Sequence, residues 1–217
     1  MIETLIPSSQ TSHPTSPSQG EYETIRVLFN EHHIAERIHA LAQLIADSKP
    51  KDLLVVGILK GSFVFIADLI RALHRAKLSP QIEFIHLSSY QTGTTSSGHV
   101  EILKDIQSPI EGRDVLLVDD ILESGRTLAF AKDLLLKRGA RHVMSTVLLE
   151  KPHKKETLIK ADFVGFTCPD HFVVGYGMDF AHNFRQLPFI GALDETYIKG
   201  IMTQERADGA PHRTTPL

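Results

Sequence analysis

Along residues 31–149 the apolar positions change period several times. Ile34, Ile38, Leu41 and Ile45 recur at three- and four-residue spacing, which predicts an amphipathic helix over residues 31–47. Residues 53–59 (LLVVGIL) are instead continuously apolar, the pattern of a strand buried on both faces. Lys60-Gly61-Ser62 breaks this run. Helical spacing returns over residues 63–75, with Phe63, Ile66, Ile70 and Leu73 expected inward. Residues 82–87 and 114–118 read as further strands, and residues 100–103 as a returning edge. A helix over 128–138 follows, stopped by Gly139. Residues 142–149 form another strand, and two short ones at 162–166 and 172–176 flank a Pro169-Asp170 turn. This alternation predicts an α/β fold: an open, mainly parallel sheet flanked by helices. In such sheets ligands bind at the carboxyl ends of strands. Lys60-Gly61, residues 119–127 and Lys151 all fall at such ends.

Between these elements, residues 88–98 (SSYQTGTTSSG) hold no apolar residue beyond Tyr90, and read as a mobile loop that could serve as a lid. Residues 7–20 are Ser, Thr, Pro and Gln without apolar period. The expected organisation is a disordered tail over 1–21, one domain over 22–202 and a second disordered tail over 203–217. A hydrophobic content of 42% supports a full core, and a net charge of −3 argues against a protein that coats nucleic acid. The single cysteine, Cys168, excludes an internal disulfide, fits a reducing compartment and reads as a small core residue. No run approaches the ~20 apolar residues of a membrane span, and no basic patch precedes an apolar run at the N-terminus, so a cytoplasmic location is expected. His32, His33 and His39 share one helix; a zinc site would also want a carboxylate or thiol at fixed spacing, and the three read as helix surface.

Most of the chemistry lies in residues 115–128, VLLVDDILESGRTL. An apolar strand ends in Asp119 and Asp120, a turn of Glu123, Ser124, Gly125, Arg126 and Thr127 follows, and a helix begins. Free N–H groups at a helix start favour an anion, Gly125 permits close backbone approach, and Ser124 and Thr127 add hydroxyls. An ordinary strand-to-helix loop with Thr127 as N-cap accounts for Gly125 and Thr127 equally well. The acidic pair shifts the balance, because two adjacent carboxylates buried without partners are costly. A cation, or a polyol donating hydrogen bonds, resolves that cost. Glu123 stands at the mouth of the loop, where it can accept a proton. No GxxxxGK[ST] pattern is present, which disfavours nucleoside triphosphate hydrolysis.

This segment resembles the phosphoribosyl-diphosphate motif of the type I phosphoribosyltransferases. Residues 162–191 (DFVGFTCPDHFVVGYGMDFAHNFRQLPFIG) resemble the carboxyl-terminal part of the hypoxanthine–guanine branch, ILKGS (58–62) its diphosphate loop, and LSSYQTGTTSSG (87–98) its lid. The resemblance spans residues 25–193 and adds a small hood built from N- and C-terminal segments. It implies purine salvage: transfer of phosphoribosyl from phosphoribosyl diphosphate to N9 of hypoxanthine or guanine. A xanthine-preferring enzyme, and a nucleotide-sensing RNA-binding regulator on the same scaffold, are the alternatives.

The resemblance also implies roles. Asp119 and Asp120 would hold the ribose hydroxyls and Mg²⁺, and Glu123, Ser124, Gly125, Arg126 and Thr127 the 5′-phosphate. Leu59, Lys60 and Gly61, with a non-proline cis peptide at Leu59–Lys60, would bind the diphosphate together with Ser89, Tyr90 and Arg185. Asp179 would approach a second Mg²⁺ beside the purine. Phe172 would stack on the base, Val173 would read its edge through the backbone, and Lys151 would donate to O6. His171, next to Phe172, has no assigned role. The family usually carries Asp where Glu123 stands and often Glu where Asp119 stands. Glu123 is expected to be the catalytic base that takes the N7 proton; the alternative is that it only hydrogen-bonds N7. A homodimer or homotetramer is implied, without nucleic acid or membrane partners.

Overall fold

The computed structural model describes residues 25–89, 100–152 and 156–207. The main body is a six-stranded sheet in the order β4-β3-β2-β5-β6-β7, formed by Val100–Lys104 (β4), Gln81–Ser89 (β3), Leu54–Leu59 (β2), Asp114–Leu122 (β5), His142–Glu150 (β6) and Phe163–Thr167 (β7). All neighbours pair parallel except the edge strand β4, which returns antiparallel on β3. The α/β expectation therefore holds. Leu54, Val55, Val56, Leu116, Leu117 and Val118 have 0% exposure, as the unbroken apolar runs require for a sheet covered on both faces.

Helices α1 (Glu31–Asp47) and α2 (Phe63–Arg75) cover one face. Helix α3 (Arg126–Lys137) covers the other, packing Leu128, Ala131 and Leu135 against β5 and β6. Asn30 caps α1 by accepting from His33 N at 2.9 Å, and Gly139, at φ 89°, closes the turn after α3. Within α2 the buried stripe is Phe65, Ile66, Leu69, Ala72 and Leu73, whereas Phe63 is 45% exposed. The inward placement expected of Phe63 is corrected: at the first helical position its ring lies beside Gly177, 3.5 Å from where a Cβ on that glycine would stand, and not in the stripe that packs on the sheet.

A second, three-stranded antiparallel sheet, β1 (Ile25–Phe29), β9 (Ile190–Leu193) and β8 (Val173–Val174), forms the hood, in the order β1-β9-β8. Helix α4 (Glu195–Ala207) packs Tyr197, Ile198 and Ile201 on it and continues past residue 202, the expected end of the domain. The expected tail over 1–21 and, of the tail expected over 203–217, residues 208–217 lie outside the described residues, as do residues 90–99 with Tyr90.

Candidate active site

The carboxyl ends of β2, β5 and β6 meet the hood, and the residues singled out in the sequence gather there. The peptide between Leu59, the last residue of β2, and Lys60 is cis. Lys60 is exposed, and Gly61 is buried against the acidic pair. A Cβ on Gly61 would lie 1.7 Å from Asp120 Oδ2. On its other side stands a hood turn: a Cβ on Gly177 would lie 2.2 Å from the Gly61 carbonyl oxygen. The backbone of the loop after β2 is thus held between a carboxylate and a second glycine, at distances no side chain tolerates. Gly177 was missed from sequence. Its signal is the Gly175-Tyr176-Gly177 triplet, in which all three residues have positive φ.

Strand β5 does not stop before the acidic pair but runs through it to Leu122, leaving Asp119 and Asp120 each 7% exposed. Asp119 Oδ1 accepts the Asp120 N–H at 3.0 Å. Burial first, then the neighbouring Asp120 charge, pushes the Asp119 carboxyl well above the usual range. Burial raises Asp120 too, opposed by hydrogen bonds from Asp119 and the backbone and by the field of Arg185. Arg185 donates Nη1–H to Gly177 O at 2.7 Å and pairs through Nη2 with Asp179 Oδ1 at 2.6 Å. Among the described residues no group of three or more His, Cys, Asp or Glu forms a metal cage. Two adjacent buried carboxylates suit Mg²⁺ all the same, because Mg²⁺ takes one or two protein carboxylates and completes its shell with water and substrate oxygens.

The loop after β5 leads into α3 through Gly125, which has φ 81° and makes no side-chain cap. Helix α3 begins at Arg126, so Thr127 is its second residue and not the N-cap. Ser124 Oγ accepts the Arg126 N–H at 3.3 Å, and Arg126 pairs with Glu156. The segment after β6 closes over this loop. Glu156 N and Thr157 N both donate to Ser124 O, at 3.0 and 3.2 Å, and a Cβ on Gly125 would meet Thr157 Oγ1 at 2.3 Å. Glycine at 125 is therefore required twice, by its φ and by this cover.

Lys151 follows β6 directly, and its N–H donates to Leu122 O at 2.9 Å. That bond sets it beside Glu123, and Lys151 Nζ donates to Glu123 Oε1 at 3.3 Å. The lysine is 6% exposed, so it is not the solvated residue its type suggests. Cys168 is buried alongside, its thiol raised chiefly by burial and opposed by the Lys151 charge, which bears out its reading as a core residue. Phe172 is half-buried, edge-on to Phe180 with ring centroids 5.2 Å apart, and its carbonyl accepts Leu193 N–H at 2.9 Å. Val173 is buried and pairs with Ala192. His171 accepts from Arg26 across the hood at 2.9 Å. Ser89 ends β3, and Tyr90 lies outside the described residues. A cavity of about 410 Å³ lined by Ile70, Arg71, His74 and Leu78 opens at the far end of α2, away from all of these groups.

Residues 27–181 match the phosphoribosyl transferase domain family. The chain is 42% identical over 175 residues to the hypoxanthine-guanine phosphoribosyltransferase of Dictyostelium discoideum, covering 80% of this chain and 97% of that protein. The chain belongs to the hypoxanthine-guanine phosphoribosyltransferase family. A bifunctional protein TilS/HprT of Listeria innocua is 44% identical over 169 residues; the match covers 77% of this chain and only 26% of that longer relative. The solved hypoxanthine phosphoribosyltransferase of Trypanosoma cruzi, in complex with the product IMP, superimposes with a TM-score of 0.76 at 37% identity, over 83% of this chain and 99% of that one. The type I phosphoribosyltransferase fold expected from the sequence is thus the one observed.

Proposed function

We propose that this phosphoribosyltransferase makes IMP or GMP by joining hypoxanthine or guanine to the ribose of 5-phosphoribosyl 1-diphosphate. The observation that carries this reading is the Lys151–Glu123 pair, 3.3 Å apart at the ends of adjacent strands and beside the acidic pair and anion loop. A 6-oxopurine presents O6, an acceptor, next to N7–H, a donor. Lys151 can only donate and the Glu123 carboxylate can only accept, so the two groups complement that edge. A 6-aminopurine would turn a donor toward the lysine and leave it unsatisfied.

In the reaction, N9 forms the new bond to C1′ as the C1′–O bond to diphosphate breaks, and the bonding pair leaves with the diphosphate. Glu123 takes the N7 proton, so the purine ends neutral on N9. Lys60 and Arg185 stabilise the charge that gathers on the leaving group, Arg185 through a planar fork and Lys60 as a point charge. Leu59 and Gly61 offer backbone groups to the same diphosphate, with Ser89 and Tyr90. Ser124, Gly125, Arg126 and Thr127 hold the 5′-phosphate at the start of α3. Asp119 and Asp120 accept from the ribose hydroxyls, and Asp179 stands near the purine. Asp119 and Asp120 would hold one Mg²⁺ and Asp179 would approach the other, and the metal would supply neutralisation of the diphosphate charge. Phe172 stacks on the base and the Val173 backbone reads its edge. A homodimer or homotetramer in the cytoplasm completes the proposal. No helix among the described residues is long and apolar enough to cross a membrane.

Turnover of hypoxanthine, guanine, xanthine and adenine with phosphoribosyl diphosphate and Mg²⁺ tests the reading. Hypoxanthine or guanine is expected to be the best base; adenine as the best would overturn the roles of Lys151 and Glu123. Glu123→Gln, which accepts but takes no proton, is expected to lower kcat by about 10²-fold or more with little change in IMP affinity. Near-normal turnover would leave Glu123 as a hydrogen-bond acceptor only.

A further inference from the structure

The hood turn that touches the diphosphate loop is held by a residue to which no role has yet been given. Gly175 N donates to Met178 O at 3.0 Å and Met178 N donates back to Gly175 O at 3.1 Å, so Tyr176 and Gly177 form a two-residue hairpin turn. Both have positive φ, 51° and 102°, as a primed turn requires. Glycine or asparagine is the usual choice at the first of these positions, because a bulky residue there is strained. Tyr176 is nevertheless 5% exposed, buried in the main core with Phe65, Ile66 and Leu69. Its hydroxyl donates to Asp68 Oδ2 on the second turn of α2, and Arg71 holds the other carboxylate oxygen. Burial, then the bond to Asp68, pushes the phenol far above its ordinary pKa, so it stays a donor.

Helix α2 begins immediately after the loop that carries Lys60 and Gly61. The Tyr176–Asp68 bond therefore straps the turn to the helix that extends the diphosphate loop. Gly177, next in the chain, presses on Gly61 O, and its own carbonyl holds Arg185. We propose that Tyr176 and Asp68 are positioning residues that fix the diphosphate loop and Arg185 relative to one another, and so set the affinity for the diphosphate part of the substrate. The base contacts do not depend on this strap, because Phe172 and Val173 are held by β9.

The inference rests on the proposed reaction, and its test separates the two. Inorganic diphosphate with Mg²⁺ is the binding probe, measured calorimetrically on the full chain without any purine. Tyr176→Phe keeps the ring and removes the hydroxyl. It is expected to weaken diphosphate binding about tenfold, the size of one lost hydrogen bond to a charged group, and to raise KM for phosphoribosyl diphosphate alike, with KM for hypoxanthine within about twofold. Asp68→Asn retains an oxygen that accepts from the phenol and is expected to keep the loss within about threefold, whereas Asp68→Ala reproduces Tyr176→Phe. The double variant should be no worse than the worse single, as for one shared interaction. A fall in Tm with diphosphate affinity and both KM values unchanged would reduce the strap to a structural contact and overturn the inference. If the wild type binds diphosphate with this variant pattern but turns over no 6-oxopurine, the strap stands and the proposed reaction falls.

Discussion

Replacing Gly61 by alanine would place a methyl carbon 1.7 Å from Asp120 Oδ2 and 2.6 Å from its Cγ, against the 3.4 Å at which ordinary contact begins. Two movements can relieve the overlap. The Asp120 side chain can turn, but it is 7% exposed and an off-rotamer χ costs about 0.5–1.5 kcal/mol. Turning also carries the carboxylate away from where the ribose hydroxyls are expected. Alternatively the loop recedes, but Gly177 already packs on the Gly61 carbonyl from the other side, so the hood turn must move too. A displacement of ~1 Å in a substrate-positioning group costs up to 10²-fold in rate. Either movement damages the site more than the fold. The expected result is a drop of about 10²-fold in kcat/KM for phosphoribosyl diphosphate, or about 2.7 kcal/mol. A stability loss of about 1–2 kcal/mol would lower Tm by only a few degrees. Steady-state kinetics with hypoxanthine saturating, beside thermal unfolding of the same preparation, separates the two quantities. Turnover within threefold of wild type would show that the loop and Asp120 relax freely, and would refute the tight placement argued here.

Two further expectations concern charge. Asp119→Asn keeps an oxygen for the Asp120 N–H but removes one of two repelling buried charges, so it should raise the Tm of the metal-free protein by about 2–4 °C for each ~1 kcal/mol relieved, while cutting turnover at least tenfold; a lowered Tm would contradict the repulsion. Asp105 and Arg138 form a two-bond fork at 2.7 and 2.5 Å, and the Asp105 carboxyl is held below its ordinary range chiefly by that Arg138 bond. A depressed carboxylate stabilises the fold above its unfolded-state pKa of ~3.9 and loses that contribution as pH falls through the folded value. Both side chains are partly exposed, so Arg138→Leu should cost only about 0.2–1 kcal/mol at pH 7, and unfolding curves taken down to pH ~2 should show the difference vanish. A constant difference at all pH values would assign the loss to packing instead.

The sheet was readable because its strands are unbroken apolar runs and its helices keep a 3.6-residue period, both local signals. The hood was less so. Ile25–Phe29 and Ile190–Leu193 are short and pair with each other across more than 160 residues, a partnership no local window contains. Phe63 fits the helical period, but periodicity does not record that the first helical residue stands beside the Gly177 turn, off the stripe that packs on the sheet. At the site, the expected residues that are described lie close together, but their contacts are not legible in the sequence. The Lys151–Glu123 pair follows from the register of β5 against β6, and the stacking of Gly61 between Asp120 and Gly177 from the meeting of two loops. Tyr176 was hidden for the opposite reason: an aromatic residue in an apolar stretch reads as packing, and only its positive φ and its bond to Asp68 mark it otherwise.

The bond from Lys151 N to Leu122 O has an implication for inhibitor design. It belongs to the parallel pairing of β5 with β6, so the spacing between Lys151 and Glu123, proposed to face O6 and N7, is that of neighbouring strands, about 4.8 Å. No loop has to close to create it. A planar oxo-heterocycle that offers an acceptor beside an N–H should therefore find its recognition edge already assembled in the empty enzyme. On that proposal, resistance to such a compound would have to alter Lys151 or Glu123, side chains on which the natural base would also depend.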